Sequence, residues 1–259
     1  MSLVRLAVED GVAVLTLADP PLNLISRRLT RELGDALASL EANRAVKTMV
    51  VRGSGSRAFS AGSDIKEFPA LMERGNVIED KLSLENEVFN RLAGFPQPTI
   101  AAIDGLTLGG GAELALCCDY RIMSSDGRIG FPEIHLATAP GSGGLSRLPR
   151  LVGQSRAMRL LLDGRPITAD EALRIGLVDE TVEAGRSIEA ALARAREWAA
   201  RAPGAARMIK RGVLRATASA VEAEIAASLE ESRAIFATEG MREGVESFLA
   251  KRRPRFERD

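Results

Sequence analysis

Thr99-Ile100-Ala101-Ala102-Ile103-Asp104-Gly105-Leu106-Thr107-Leu108-Gly109-Gly110-Gly111-Ala112-Glu113-Leu114-Ala115-Leu116-Cys117-Cys118-Asp119 is the stretch on which the fold turns. The β-branched run from Thr99 to Ile103 reads as a buried strand. Asp104-Gly105 ends it, and three consecutive glycines then open an Ala/Leu-rich segment too long for another strand. The spacing predicts strand, loop and helix, with the glycines at the helix N-terminus. There the first backbone N–H groups lack intrahelical acceptors and point at whatever lies above them. Glycine removes the Cβ that would hold a ligand away. One turn inside, Glu113 stands between Ala112 and Leu114, in surroundings that penalise its charge. Free donors beside a perturbed acid suit a catalytic site. A Gly-rich turn also permits close packing, and an acid in a first helical turn also suits the helix dipole, so this stretch alone does not decide function.

The rest of the chain narrows the choice. Its 259 residues suffice for one large domain or a domain with an appendage. Lys plus Arg equals Asp plus Glu at 35 each, so no bulk field draws the chain to a nucleic acid or a membrane surface. The two cysteines, Cys117 and Cys118, are adjacent in what reads as an apolar helix. There they act as small hydrophobes and fit a reducing cytoplasm. No charged-then-apolar leader opens the sequence and no apolar run approaches the ~18 residues of a membrane span, so a cytoplasmic location is expected. The single histidine, His135, lies between Ile134 and Leu136 and reads as a packed or partly exposed side chain. One histidine leaves little room for a Ser-His-Asp or Cys-His hydrolase or for zinc, and no metal site is expected. Carboxylates and backbone amides must carry any chemistry.

The first half alternates strand and helix. Segments 4–8 and 12–17 flank the hairpin signal Asp10-Gly11. A helical stripe runs through Leu29, Leu33, Ala36, Leu37 and Leu40, with Ser26 as N-cap, predicting a helix over 28–43. Further strands are expected at 48–51, 99–103 and 120–123, and a helix at 86–92. Beyond Gly153 helical patterns dominate, at 154–162, 168–174, 188–201, 204–216, 221–236 and 241–250. The rhythm predicts an α/β core of stacked turns followed by a helical appendage.

Two further segments belong with the glycine stretch. Ala58-Phe59-Ser60-Ala61-Gly62-Ser63-Asp64-Ile65-Lys66 follows the strand at 48–51 and offers small residues where backbone meets ligand, although Asp64 also serves as an ordinary cap. Ile129-Gly130-Phe131-Pro132-Glu133-Ile134-His135-Leu136 sets a second glutamate between apolar residues, with Pro140-Gly141-Ser142-Gly143-Gly144 following. In this order the three segments resemble the enoyl-CoA hydratase/isomerase (crotonase) superfamily. The similarity continues through Leu162 to Ala172, Gly176-Leu177-Val178 and the ending Phe248 to Phe256, so it covers nearly the whole chain.

The resemblance implies a ClpP/crotonase-like spiral of repeated ββα units with a helical C-terminal trimerisation region. It places the spiral core and site at 1–195 and assigns 196–259 to oligomerisation and pocket closure, in a homotrimer or homohexamer. It implies an acyl-CoA thioester substrate, no separate cofactor, and an oxyanion hole made by the Ser63 and Gly110 amides. Glu113 and Glu133 match the two glutamates of family hydratases, so addition of water to a 2-enoyl-CoA is the expected reaction: Glu113 activates water and Glu133 exchanges a proton at C2. Arg57, Ala61, Asp64, Ile65, Lys66, Gly109, Phe131, Pro140 and Gly141 are the expected substrate and coenzyme contacts. Arg57 and Lys66 would meet CoA phosphates, joined by Lys251 or Arg253 of a neighbouring subunit.

Several positions depart from the commonest hydratase pattern: Ser63 where alanine is frequent, Phe131 where a polar residue is common, Leu145-Ser146-Arg147 for Thr-Gln-Arg, and Ala137 for glycine. These leave the acyl group open. Double-bond isomerisation, carnitinyl-type dehydration, decarboxylation and thioester hydrolysis stand as alternative family reactions, with an RNA-binding or non-catalytic homologue further off.

Overall fold

Asp10 and Gly11 both adopt positive φ, at 48° and 81°. A tight two-residue hairpin needs that backbone, because its twist then matches the strands on either side. It joins β1 (Val4–Glu9) antiparallel to β2 (Val12–Leu17). The computed structural model describes residues 2–218 and 221–254. Ser26 caps α1 (Arg27–Ala42) by accepting the Leu29 N–H, and the leucine stripe of that helix is buried.

Three strand pairs then repeat one theme: β3 (Thr48–Gly53) with β4 (Ala58–Ser60), β5 (Thr99–Ile103) with β6 (Leu106–Leu108), and β7 (Tyr120–Ser124) with β8 (Arg128–Gly130). The first strand of each pair joins a six-stranded sheet and the second joins a four-stranded sheet. Helices follow each pair: α2 (Phe68–Arg74) and α3 (Ser83–Ala93) after β4, α4 (Gly110–Ala115) after β6, and α5 (Gly144–Val152) with α6 (Gln154–Asp163) after β8. A π-helical turn, Ile78–Leu82, leads into α3. The chain is thus an α/β spiral of ββα units. Then come β9 (Ile167–Thr168), which closes the smaller sheet, α7 (Ala169–Arg174), and β10 (Glu180–Val182) at the edge of the larger one.

Apart from β1, the larger sheet is parallel and buried on both faces, so its strands read as continuous apolar runs. Val50, Ile100, Ala102 and Ile122 meet Ala191, Ala195 and Ala199 of α8 (Ser187–Ala199). Their neighbours Met49, Val51, Ala101, Ile103 and Met123 face the main core under α1 and α3. The boundary expected at 195/196 falls inside α8. Among the described residues beyond it stand α9 (Pro203–Ala218), α10 (Val221–Phe236) and α11 (Glu239–Leu249). A third cluster seats Met241 and Val245 of α11 against Phe68, Leu71, Ile78 and Leu82. Phe236 of α10 stacks on Phe68 with ring centroids 5.5 Å apart. Arg255, at the end of the basic tail, lies outside the described residues.

Two local expectations are corrected. The segment after Ile103 is not a plain loop, because β6 pairs with β4 and β8 before the glycines begin. The helix that follows stops at Ala115, so Cys117 and Cys118 lie in the turn beyond it, both buried and free. Bonds of three-residue span, from Cys117 N to Leu114 O and from Cys118 N to Ala115 O, tighten the chain there so that it can enter β7.

Candidate active site

The floor of the site is the start of α4. Gly109 has φ 51° and ψ −126°, which only glycine adopts without strain. Gly111 lies so near the preceding turn of the spiral that a Cβ would meet Ser60 O at 2.3 Å. Ser63 faces this floor, since a Cβ on Gly110 would lie 3.7 Å from Ser63 N. Among the described residues neither the Ser63 nor the Gly110 N–H meets a protein acceptor.

Glu113, one turn into α4, is only 2 % exposed. Its Oε1 accepts the Ser142 and Gly144 N–H groups at 2.7 and 2.8 Å. Burial pushes its pKa up to about 7; the Gly144 amide opposes this, Glu85 reinforces it, and the Ser142 amide and Arg147 oppose it again. Glu133 sits on a 3-10 turn, Pro132–Leu136. Its Oε1 lies 3.0 Å from where a Cβ of Gly109 would be, directly over the glycine floor. Its Oε2 is buried with no hydrogen-bond partner among the described residues. Burial, and then the charge of Glu113, hold its pKa well above the usual carboxylate range. Each carboxyl thus favours its protonated form more than an exposed glutamate does, and the charge of one raises the pKa of the other.

A cavity of about 780 Å³ opens over this pair. Arg57, Ala61, Ser63, Asp64, Ile65, Lys66, Gly109, Gly110, Glu113, Glu133 and Gly141 all line it, as does the exposed His135. Asp64 also caps the 3-10 turn at Ile65–Glu67, accepting the Lys66 N–H. Phe131 does not reach the cavity. It follows Ile129 by two residues, so both point to the same face, and both are fully buried in the main core. Pro140 is buried behind the wall, where its Cβ would lie 2.7 Å from a Cβ on Gly144. Lys251 and Arg253 are exposed and outside the cavity lining; Arg252 lines it and pairs with Glu243.

Three residues of the site escape a reading of the sequence: Lys81, Glu85 and Ser142. Lys81 is fully buried, and Glu85 and Ser142 are 1 % exposed. Lys81 and Glu85 are spaced i, i+4, as in many solvated ion pairs, and so carry no mark of a site. The clue is that they share the apolar face of Ile78, Leu82 and Phe89, where a solvated pair would not stand.

No group of three or more His, Cys, Asp or Glu that could hold a metal ion occurs among the described residues, and none of their helices is long and apolar enough to cross a membrane. Residues 7–259 match the family model described as enoyl-CoA hydratase/isomerase. The chain is 38 % identical over 258 residues to a probable enoyl-CoA hydratase of Bacillus subtilis, covering 99 % of each. It is 37 % identical over 253 residues to the short-chain-enoyl-CoA hydratase of Clostridium acetobutylicum, covering 96 % of this chain and 95 % of that one. A crystal structure of an enoyl-CoA hydratase/isomerase from Xanthobacter autotrophicus superposes with a TM-score of 0.87 at 31 % identity, covering 99 % of both chains.

Proposed function

Because this chain belongs to the enoyl-CoA hydratase/isomerase family, we propose that it adds water across the C2=C3 bond of a 2-enoyl-CoA thioester. The observation that carries this reading is the pairing of Glu113 and Glu133, two buried carboxyls raised in pKa, beside two amides that meet no protein acceptor among the described residues. The thioester oxygen lies between the Ser63 and Gly110 N–H groups. Ionised Glu113 takes a proton from water as its oxygen bonds to C3. The displaced electron pair moves through C2 to the thioester oxygen, giving an enolate, and each amide aimed there contributes ~2.7–4 kcal/mol to the transition state. Protonated Glu133 then delivers its proton to C2 and the C=O bond re-forms. Glu113 ends protonated and Glu133 ionised, and a proton passing between them restores the starting state.

Arg57 and Lys66 are both exposed and line the cavity, which supports their meeting the coenzyme phosphates. No separate cofactor enters the scheme, since coenzyme A arrives with the substrate. Met208, Ile209 and Val213 of α9 are more than 60 % exposed, which supports burial of that helix in a homotrimer or homohexamer. The buried thiols Cys117 and Cys118, with pKa values pushed up by burial, support a cytoplasmic setting.

The test is an absorbance assay with crotonyl-CoA. The enoyl absorbance should fall as 3-hydroxyacyl-CoA appears, with turnover reduced about 10²–10⁴-fold in Glu113→Gln and in Glu133→Gln. A folded protein that instead shifts the double bond, releases CO2 or liberates free CoA overturns the proposal in favour of that family reaction.

A further inference from the structure

Glu113 is held in place by the turn at 142–144, and that turn is itself held. Ser142 Oγ donates to Glu85 Oε2 at 2.6 Å. Glu85 in turn lies 3.0 Å from Lys81 Nζ. Lys81 donates to Ile25 O at 2.9 Å and pairs with Glu67 at 3.1 Å. Ile25 is the residue whose backbone pins the other half of the site: its N–H donates to Gly62 O and its carbonyl accepts the Asp64 N–H, on either side of Ser63. One buried chain of polar groups therefore runs from the loop bearing the Ser63 amide, through Lys81 and Glu85, to the turn that clamps Glu113.

Stability does not account for this arrangement. A buried ion pair loses its hydration, and well-packed apolar side chains often serve a core equally well or better. Here Glu85 and Ser142 line the reaction cavity, with Lys81 buried behind them. Nothing in the scheme above uses Glu85 to touch the reacting atoms.

We propose that Glu85, fixed by Lys81, is a positioning residue that acts through Ser142 to keep Glu113 in register with the Ser63 side of the site. The inference rests on the hydratase reading for its kinetic consequences. Glu85 also acts by its charge, which favours the protonated form of Glu113. The groups facing the two carboxylates are Lys81 on the π-helical turn, Glu67 ahead of α2, Glu133 on its 3-10 turn, Arg147 on α5 and Cys117 after α4. Of these, Lys81 is the one that touches Glu85, and among the described residues Glu85 is the side chain that accepts from the Ser142 hydroxyl.

The test uses Glu85→Gln, which keeps the shape and leaves Lys81 paired with Glu67, and Ser142→Ala, which keeps the backbone N–H to Glu113. Each should lower kcat about ten- to hundredfold with KM within about twofold, as expected for a misplaced base. The double variant should lose no more than the worse single one, because both break one connection. In Glu85→Gln the acid limb of the kcat/KM profile should move to lower pH, since a neutral neighbour makes Glu113 easier to ionise. Wild-type kcat in both variants with an unmoved acid limb overturns the proposal.

A second measurement needs no substrate. The Glu113 carboxyl is titrated in ligand-free protein by NMR with 13C at Glu Cδ, its signal assigned by its loss in Glu113→Gln. A lower midpoint in Glu85→Gln supports the coupling, and an unchanged midpoint overturns it. If wild-type protein fails to hydrate enoyl-CoA, the hydratase reading falls while this titration still decides the role of Glu85.

Discussion

Glu113 rides on a helix whose first turn is wedged into the preceding turn of the spiral, and both N–H groups on its Oε1 come from a turn braced by side chains. Glu133 sits on a 3-10 turn whose residues are half-buried or exposed, and its Oε2 has no hydrogen-bond partner among the described residues. In the proposed reaction the two carboxylates do related work from opposite kinds of support. A base that orients water gains from being fixed, because small displacements are heavily penalised in rate. An acid that must give up its proton to carbon gains from the absence of competing partners. Under the proposed reaction, the contrast is how one site holds two like groups and keeps their roles apart.

The largest effect that would sharpen this contrast is on stability against pH. Glu113 is raised from 4.5 to about 7 in the folded protein, so the native state binds more protons than the unfolded chain across that window. Stability therefore falls as pH rises from the unfolded value through the folded one, by ~3 kcal/mol for this group. Glu113→Gln is neutral throughout and should lack that loss. Urea unfolding at pH 5 and pH 8 should find the variant gaining on wild type by this order, and parallel curves for the two proteins would break the account.

The rigid side should resist even one added methyl group. Gly111→Ala sets a Cβ against the backbone of Ser60, where nothing can swing aside, and should lower unfolding free energy by ~1–3 kcal/mol. A variant as stable as wild type would show that the floor under Glu113 has slack. The smallest effect is expected on the other side. Ala137 ends the Glu133 turn at φ 58°, a strained position for alanine. Ala137→Gly should leave the melting curve within ~1 kcal/mol of wild type, with any change stabilising, since relief of strain is offset by the greater freedom of glycine when unfolded. A marked loss of stability would mean that this turn is as rigidly built as the floor.

Sequence alone reveals the Glu113 side better than the Glu133 side. The run from Thr99 to Glu113 announces its strand, its glycine turn and its buried acid, because each depends on local backbone preference. Phe131 goes astray because its direction depends on where β8 ends, and alternation along that strand carries it with Ile129 into the core. Glu85 and Lys81 stay hidden for a different reason. Their i, i+4 spacing is the commonest signature of a surface pair, and only the packing of Phe68, Leu82 and the 142–144 turn around them shows that no solvent reaches them.

The order in which the site is assembled follows from the place of α11 in the chain. Gly244 lies so near the Glu133 turn that a Cβ would strike the Leu136 carbonyl oxygen at 2.6 Å, and Met241, Phe248 and Leu249 wall the cavity. A growing polypeptide emerges N-terminus first and folds as it goes. Both glutamates and both amides are therefore translated before the helix that walls the cavity over them. Until that helix docks, the cavity lacks one of its walls.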